Sequence, residues 1–215
     1  MIEWVGIVTR LFAIMNPKGY MADDVNKTKK EFGGLPRILE QLYLQLGCSY
    51  ELLCMQDTLI LPSKHPLFLN YDYLVFFNEN QSVCQAGINL RDIGLDDPPV
   101  YVGYDNAKWI KISDTLSSFL IAMFGFQASL CLQYSSTEFY LITENDVMFI
   151  KQHFAKQPDS LQNWLNFKVD LYANSPDERL ALMNTGNDLQ MIYAANNQKS
   201  FDSMRSILEG TGEPM

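Results

Sequence analysis

Residues 71–102 read YDYLVFFNENQSVCQAGINLRDIGLDDPPVYV, and the reading of this stretch decides the fold. Tyr73, Leu74, Val75, Phe76 and Phe77 form an apolar, aromatic run of strand-favouring residues. The polar turn Asn78-Glu79-Asn80-Gln81 follows, and Ser82 to Ile88 resumes a strand-like pattern. Two such runs around a polar turn predict a hairpin. Asn78 and Asn80 suit its loop, because short amide side chains tolerate unusual backbone angles and bond nearby amides. The acidic, proline-stiffened hinge Asp96-Asp97-Pro98-Pro99 then leads into the short strand Val100-Tyr101-Val102. Nowhere does the stretch set a nucleophile beside a base, space metal ligands or form a glycine-rich phosphate cradle.

Outward from this hairpin, helices alternate with further strands. Ile2 to Met15 predicts a short amphipathic helix stopped by Asn16-Pro17-Lys18-Gly19. Met21 to Phe32 predicts a charged helix with Lys27, Lys29, Lys30 and Glu31 in solvent, ended by Gly33-Gly34. Leu35, Ile38, Leu39, Leu42, Tyr43 and Leu46 have helical spacing, with Pro36 in the first turn and Gly47 expected as a left-handed cap. Thr58 to Leu61 reads as a strand stopped by Pro62. Val100 to Tyr104 and Trp109 to Ile112 predict two strands around Asp105-Asn106. Ser113 or Asp114 is expected to cap a helix that buries Leu116, Phe119, Leu120, Met123 and Phe124.

The last third repeats the mixture. Phe139 to Ile142 predicts a strand, and Asn145 to Phe154 a helix with Val147, Ile150 and Phe154 inward. Phe167, Val169, Leu171 and Ala173 alternate with polar residues along a strand. Leu180 to Asn184 and Leu189 to Ala194 flank the hairpin turn Thr185-Gly186-Asn187, and a helix from Phe201 to Leu208 ends at Gly210. The expectation is an α+β fold, a mainly antiparallel sheet flanked by helices in one domain (residues 32–215) behind a helical extension (residues 1–31).

Composition narrows the function. At 215 residues, with 47% hydrophobic and 19% charged, the chain reads as globular and able to bury a substantial core. A net charge of -9 argues against nucleic acid as partner, since phosphate contacts need clustered Lys and Arg. A basic protein is the natural complement, although acidity also serves simple solubility. No charge occurs between Asp114 and Glu138, yet Ser117, Ser118, Gln127, Ser129 and Gln133 interrupt that apolar run, so a buried helix is expected rather than a membrane span. Cys48, Cys54, Cys84 and Cys131 lack metal-type spacing and read as reduced thiols of a cytoplasmic protein. The start Met1-Ile2-Glu3-Trp4 does not read as a signal peptide. His65 and His153 converge with no ligand set, so neither a metal, a cofactor nor a catalytic group is expected.

What remains is a surface. Asp72, Glu79, Asp96, Asp97 and Asp105 fall on predicted loops or strand ends, and Tyr71, Tyr101, Tyr104 and Trp109 lie among them. Acids of this kind are ordinarily a solvated rim, and Trp109 suits a core equally well. Together they would make an acidic face with aromatic anchors, in which the rings hold the partner and the acids speed its approach.

The order of motifs resembles the SUKH superfamily, the Smi/Knr-type domains known as bacterial toxin-immunity proteins. Its E-N-Q-x-V turn is matched by Glu79-Asn80-Gln81-Ser82-Val83, its D-P-P-V by Asp97-Pro98-Pro99-Val100, its Trp by Trp109, and its L-S-x-F-L helix start by Leu116-Ser117-Ser118-Phe119-Leu120. Leu35-Pro36 with Leu39 and Tyr43 resembles the family's upstream helix, while Ala86-Gly87-Ile88 stands where members often have Trp-Gly-Ile. The resemblance runs from about Leu35 to Leu130. It implies a non-enzymatic immunity protein that binds a basic toxin domain and occludes it, with a regulatory or scaffold module as the alternative.

Overall fold

The computed structural model describes residues 3–62, 68–104 and 108–215. The fold is α+β, with two antiparallel sheets and helices around them. The first stretch of chain is helical: α1 (Glu3–Leu11), α2 (Ala22–Glu31), α3 (Arg37–Leu46) and α4 (Tyr50–Leu53). Strands β1 (Thr58–Leu59), β2 (Phe68–Asn70), β3 (Tyr73–Asn78), β4 (Gln85–Asn89), β5 (Val100–Gly103) and β6 (Trp109–Ser113) follow, then α5 (Leu116–Cys131). The remainder comprises β7 (Tyr134–Ser135), β8 (Tyr140–Leu141), α6 (Glu144–His153), β9 (Ala155–Trp164), β10 (Phe167–Ala173), β11 (Glu178–Asn184), β12 (Leu189–Ala195), α7 (Gln198–Ile207) and β13 (Glu213–Pro214). Two compact units result, one of residues 14–120 and one of residues 1–13 with 121–215.

The unit of residues 14–120 carries the first sheet, in the order β1-β3-β4-β5-β6 with β2 also on β3. The expected hairpin is β3–β4, with Leu74 opposite Ile88 and Phe77 opposite Ala86. Its second strand starts at Gln85 rather than Ser82, because residues 79–84 are taken up by a longer turn. Leu74, Phe76, Phe77, Ala86, Ile88, Val100 and Val102 are fully buried, and Phe119 packs its ring edge-on against Phe76 and Phe77. The helix α3 buries Leu39, Leu42, Tyr43 and Leu46, as its spacing predicts.

Two caps differ from expectation. Gly47 has φ -58, an ordinary right-handed value, so it does not end α3 by adopting a left-handed turn. It is needed for space: a Cβ there would lie 2.8 Å from the Tyr20 ring and 2.9 Å from the Tyr43 carbonyl. At α5 neither Ser113 nor Asp114 caps the first turn. Thr115 Oγ1 accepts from the Ser118 amide at 3.2 Å, and the distant Asp97 accepts from the Ser117 amide at 2.8 Å.

The other unit holds the second sheet, ordered β13-β8-β12-β11-β10-β9, with β7 also on β12. One face carries Tyr172, Leu180, Leu182, Met191 and Tyr193 against Ile150 of α6, Phe154 just past its end and Met204 of α7. On the opposite face Gly125 of α5 approaches Leu171 so closely that a Cβ would sit 2.6 Å from its methyl. Both faces are therefore covered, and β11 is buried over six of its seven residues. The turn Thr185-Gly186-Asn187 joins β11 to β12 as predicted, with Gly186 at φ 88. None of the helices among the described residues is long and apolar enough to cross a membrane.

Candidate functional site

On the face of the first sheet away from Phe119, cross-strand register gathers a set of rings. Directly paired residues share a face, and here Tyr73 pairs with Asn89, Gly87 with Tyr101, Gln85 with Gly103 and Gly103 with Trp109. The indole of Trp109 lies flat over two glycines. A Cβ at Gly103 would meet it at 2.6 Å and one at Gly87 at 2.8 Å. Tyr73 stacks on Trp109 at 4.2 Å between centroids with 12° between planes, and Tyr101 meets Tyr73 edge-on at 5.2 Å. All three rings are half-buried, so each keeps part of its surface open while the strands hold it rigidly.

Polar groups border this stack. Asn70 donates to the Gln85 side chain at 3.1 Å. Lys111, paired with Tyr101 across β5 and β6, donates to Asp114 at 2.6 Å. That hydrogen bond holds the Asp114 carboxyl below the usual carboxylate range and raises the Lys111 ammonium. Asp72 is exposed, and its carbonyl accepts from the Leu90 amide at 2.8 Å. Tyr71 beside it is 69% exposed with φ 56.

The expected acidic members fare differently from one another. Glu79 is 4% exposed rather than on a rim; its Oε2 accepts from the amides of Gln81 and Val83, both at 3.0 Å. Burial with two amide donors makes it the internal brace of the β3–β4 turn, and takes its charge away from any surface. Asp97 is half-buried and accepts from both the amide and the hydroxyl of Ser117, at 2.8 and 2.6 Å. Asp96 is exposed and lies 3.3 Å from Arg37, a pair open enough to water to contribute little. Tyr104 is half-buried, and Asp105 lies outside the described residues. The excess of acids is shared by both units rather than gathered at the Asp96–Asp97 hinge.

Sequence reasoning placed Tyr101 and Trp109 in the site and left out Tyr73, Gly87 and Gly103. The available signal was the pair of strand-interior glycines, since glycine in a strand often marks close approach by another group. None of the four cysteines forms a disulfide, and Cys84 is buried. His153 directs Nδ1 at the Phe149 carbonyl, 2.8 Å away, and His65 lies outside the described residues. No group of three His, Cys, Asp or Glu side chains among the described residues could hold a metal ion. Comparison of the chain with protein-family models, with curated proteins and with solved structures found no match.

Proposed function

We propose that this chain is an immunity-type binding protein, which neutralises a toxin or effector domain by covering it with the Tyr73–Tyr101–Trp109 face. Support comes from the ordered resemblance of residues 35–130 to the SUKH superfamily. The observation that carries the reading is the half-open aromatic stack, floored by Gly87 and Gly103. Rings fixed on a sheet lose little freedom on association, and such aromatic anchors dominate the energy of protein interfaces. A complex of ordinary size would bury on the order of 1,600 Å². The net charge of -9 favours a basic partner through long-range attraction.

Expression of the chain in cells poisoned by the product of an adjacent toxin gene tests the proposal. Growth rescue, weakened by Tyr101→Ser, is the expected result. A pull-down from the producing organism without any toxin-like protein, together with no rescue, overturns it. Capture of a non-toxin protein through the same face would instead make the chain a regulatory or scaffold module.

A further inference from the structure

The second sheet holds a buried cation that forms no ion pair among the described residues. Arg179 of β11 is 6% exposed, and its Nη1 donates to the Glu178 carbonyl at 2.6 Å. Its stem crosses α5 beside Gly125, where a Cβ would be 3.6 Å from Nε. Glu178 points to the other face of the strand, and its Oε1 accepts from the Asn174 amide at 2.7 Å. Among the described residues no carboxylate forms an ion pair with Arg179. Desolvation pushes the guanidinium down to about 10, with only partial relief from Glu178. A buried charge in this state is costly unless something completes it.

Arg179 lines a cleft of about 470 Å³, within the range of small-molecule sites. Arg10 of α1 lines the same cleft, and among the described residues no acid does. Arg10 is exposed but its backbone is anchored: Asn196 donates to the carbonyls of Arg10 and Leu11 at 3.0 and 3.1 Å. Ser175 adds a hydroxyl at the cleft wall. Two guanidiniums and a hydroxyl around one cavity, in a chain of net charge -9, run against the overall electrostatics. Guanidinium is the group best matched to carboxylate and phosphate, because its parallel N–H bonds engage two oxygens at once.

We propose that this cleft binds a small oxyanion, carboxylate or phosphate, which enters over Arg10 and completes the charge of Arg179. The site is separate from the aromatic stack and does not depend on the function proposed above.

The test is titration of the full chain with inorganic phosphate and, separately, succinate, against chloride at equal ionic strength. Calorimetry and the melting temperature are the readouts. One or both anions bind and raise the melting temperature, and which one does so identifies the group. Arg10→Ala weakens that binding about tenfold or more. Arg179→Met abolishes it while melting in chloride no lower than the unmodified chain, since an uncompensated charge has been removed. Gly6→Leu gives a second, independent probe: a Cβ there meets nothing within 4 Å, so the larger side chain fills the cleft without disturbing α1 and blocks binding. Absence of any effect beyond chloride overturns the proposal. So does a response that survives both Arg10→Ala and Gly6→Leu.

Discussion

Glu79 turns its carboxylate onto its own backbone, where it satisfies the Gln81 and Val83 amides while the Glu79 amide donates to the Cys84 carbonyl at 3.0 Å. Ser82 sits at φ 61 inside the same turn, so the loop needs an internal brace. Glu79→Ala is expected to cost about 2–3 kcal/mol by leaving two partly buried donors unanswered. Urea unfolding measures it, and a loss near zero would return Glu79 to the surface role. Gly103→Ala acts differently. The new Cβ would stand 2.6–2.9 Å from three indole atoms, so Trp109 must lift from the sheet. A red-shifted tryptophan emission is expected, together with weaker partner binding at nearly unchanged secondary structure. At this scale the sequence exposed Tyr101 and Trp109 but hid the roles of the acids. A carboxylate braced by its own turn and one in solvent look alike until the turn is folded.

Helix α5 shows why whole elements were legible and their ends were not. Its apolar run announced a buried helix, and residues 122–129 are indeed buried on every side. Its cap is shared between Thr115, next to the helix, and Asp97, twenty positions upstream of Ser117, which local capping rules cannot see. Asp97→Ala should therefore destabilise the protein by about 1–2 kcal/mol, as loss of an N-cap does, with Asp97→Asn costing less. Denaturant midpoints for the pair decide it. The strand β9 went unread for the opposite reason: Gln157, Pro158, Asp159 and Asn163 carry no strand pattern, yet an edge position tolerates both proline and polarity. Its turn was equally silent. Leu165 and Asn166 join β9 to β10 with φ 54 and 60, angles that hairpins usually give to Asn-Gly. Leucine is poorly suited to that region, so Leu165→Asn is expected to raise stability by about 1 kcal/mol, seen as a higher melting temperature.

Across the whole molecule, both units bury tyrosines whose hydroxyls resist ionisation. Tyr43 is fully buried in the unit of residues 14–120 and donates to the Ile60 carbonyl at 2.8 Å; desolvation raises it well above its ordinary value of 10.0. In the other unit, burial raises Tyr172 and pushes Tyr193 from 10.0 up to about 12. A raised phenol holds its proton more tightly in the folded state than in the unfolded chain. Linkage then leaves stability untouched below pH 10.0 and removes it as pH climbs through about 12, because only the unfolded chain ionises freely in that window. The urea midpoint should hold steady from neutral pH to about pH 10 and then fall. Tyrosinate absorbance should appear together with unfolding rather than before it. Tyr43→Phe separates this effect from general alkaline repulsion in a chain of charge -9. It should lower stability at neutral pH by about 1 kcal/mol through the lost hydrogen bond and make the alkaline fall shallower. An unchanged slope would assign the fall to charge repulsion instead.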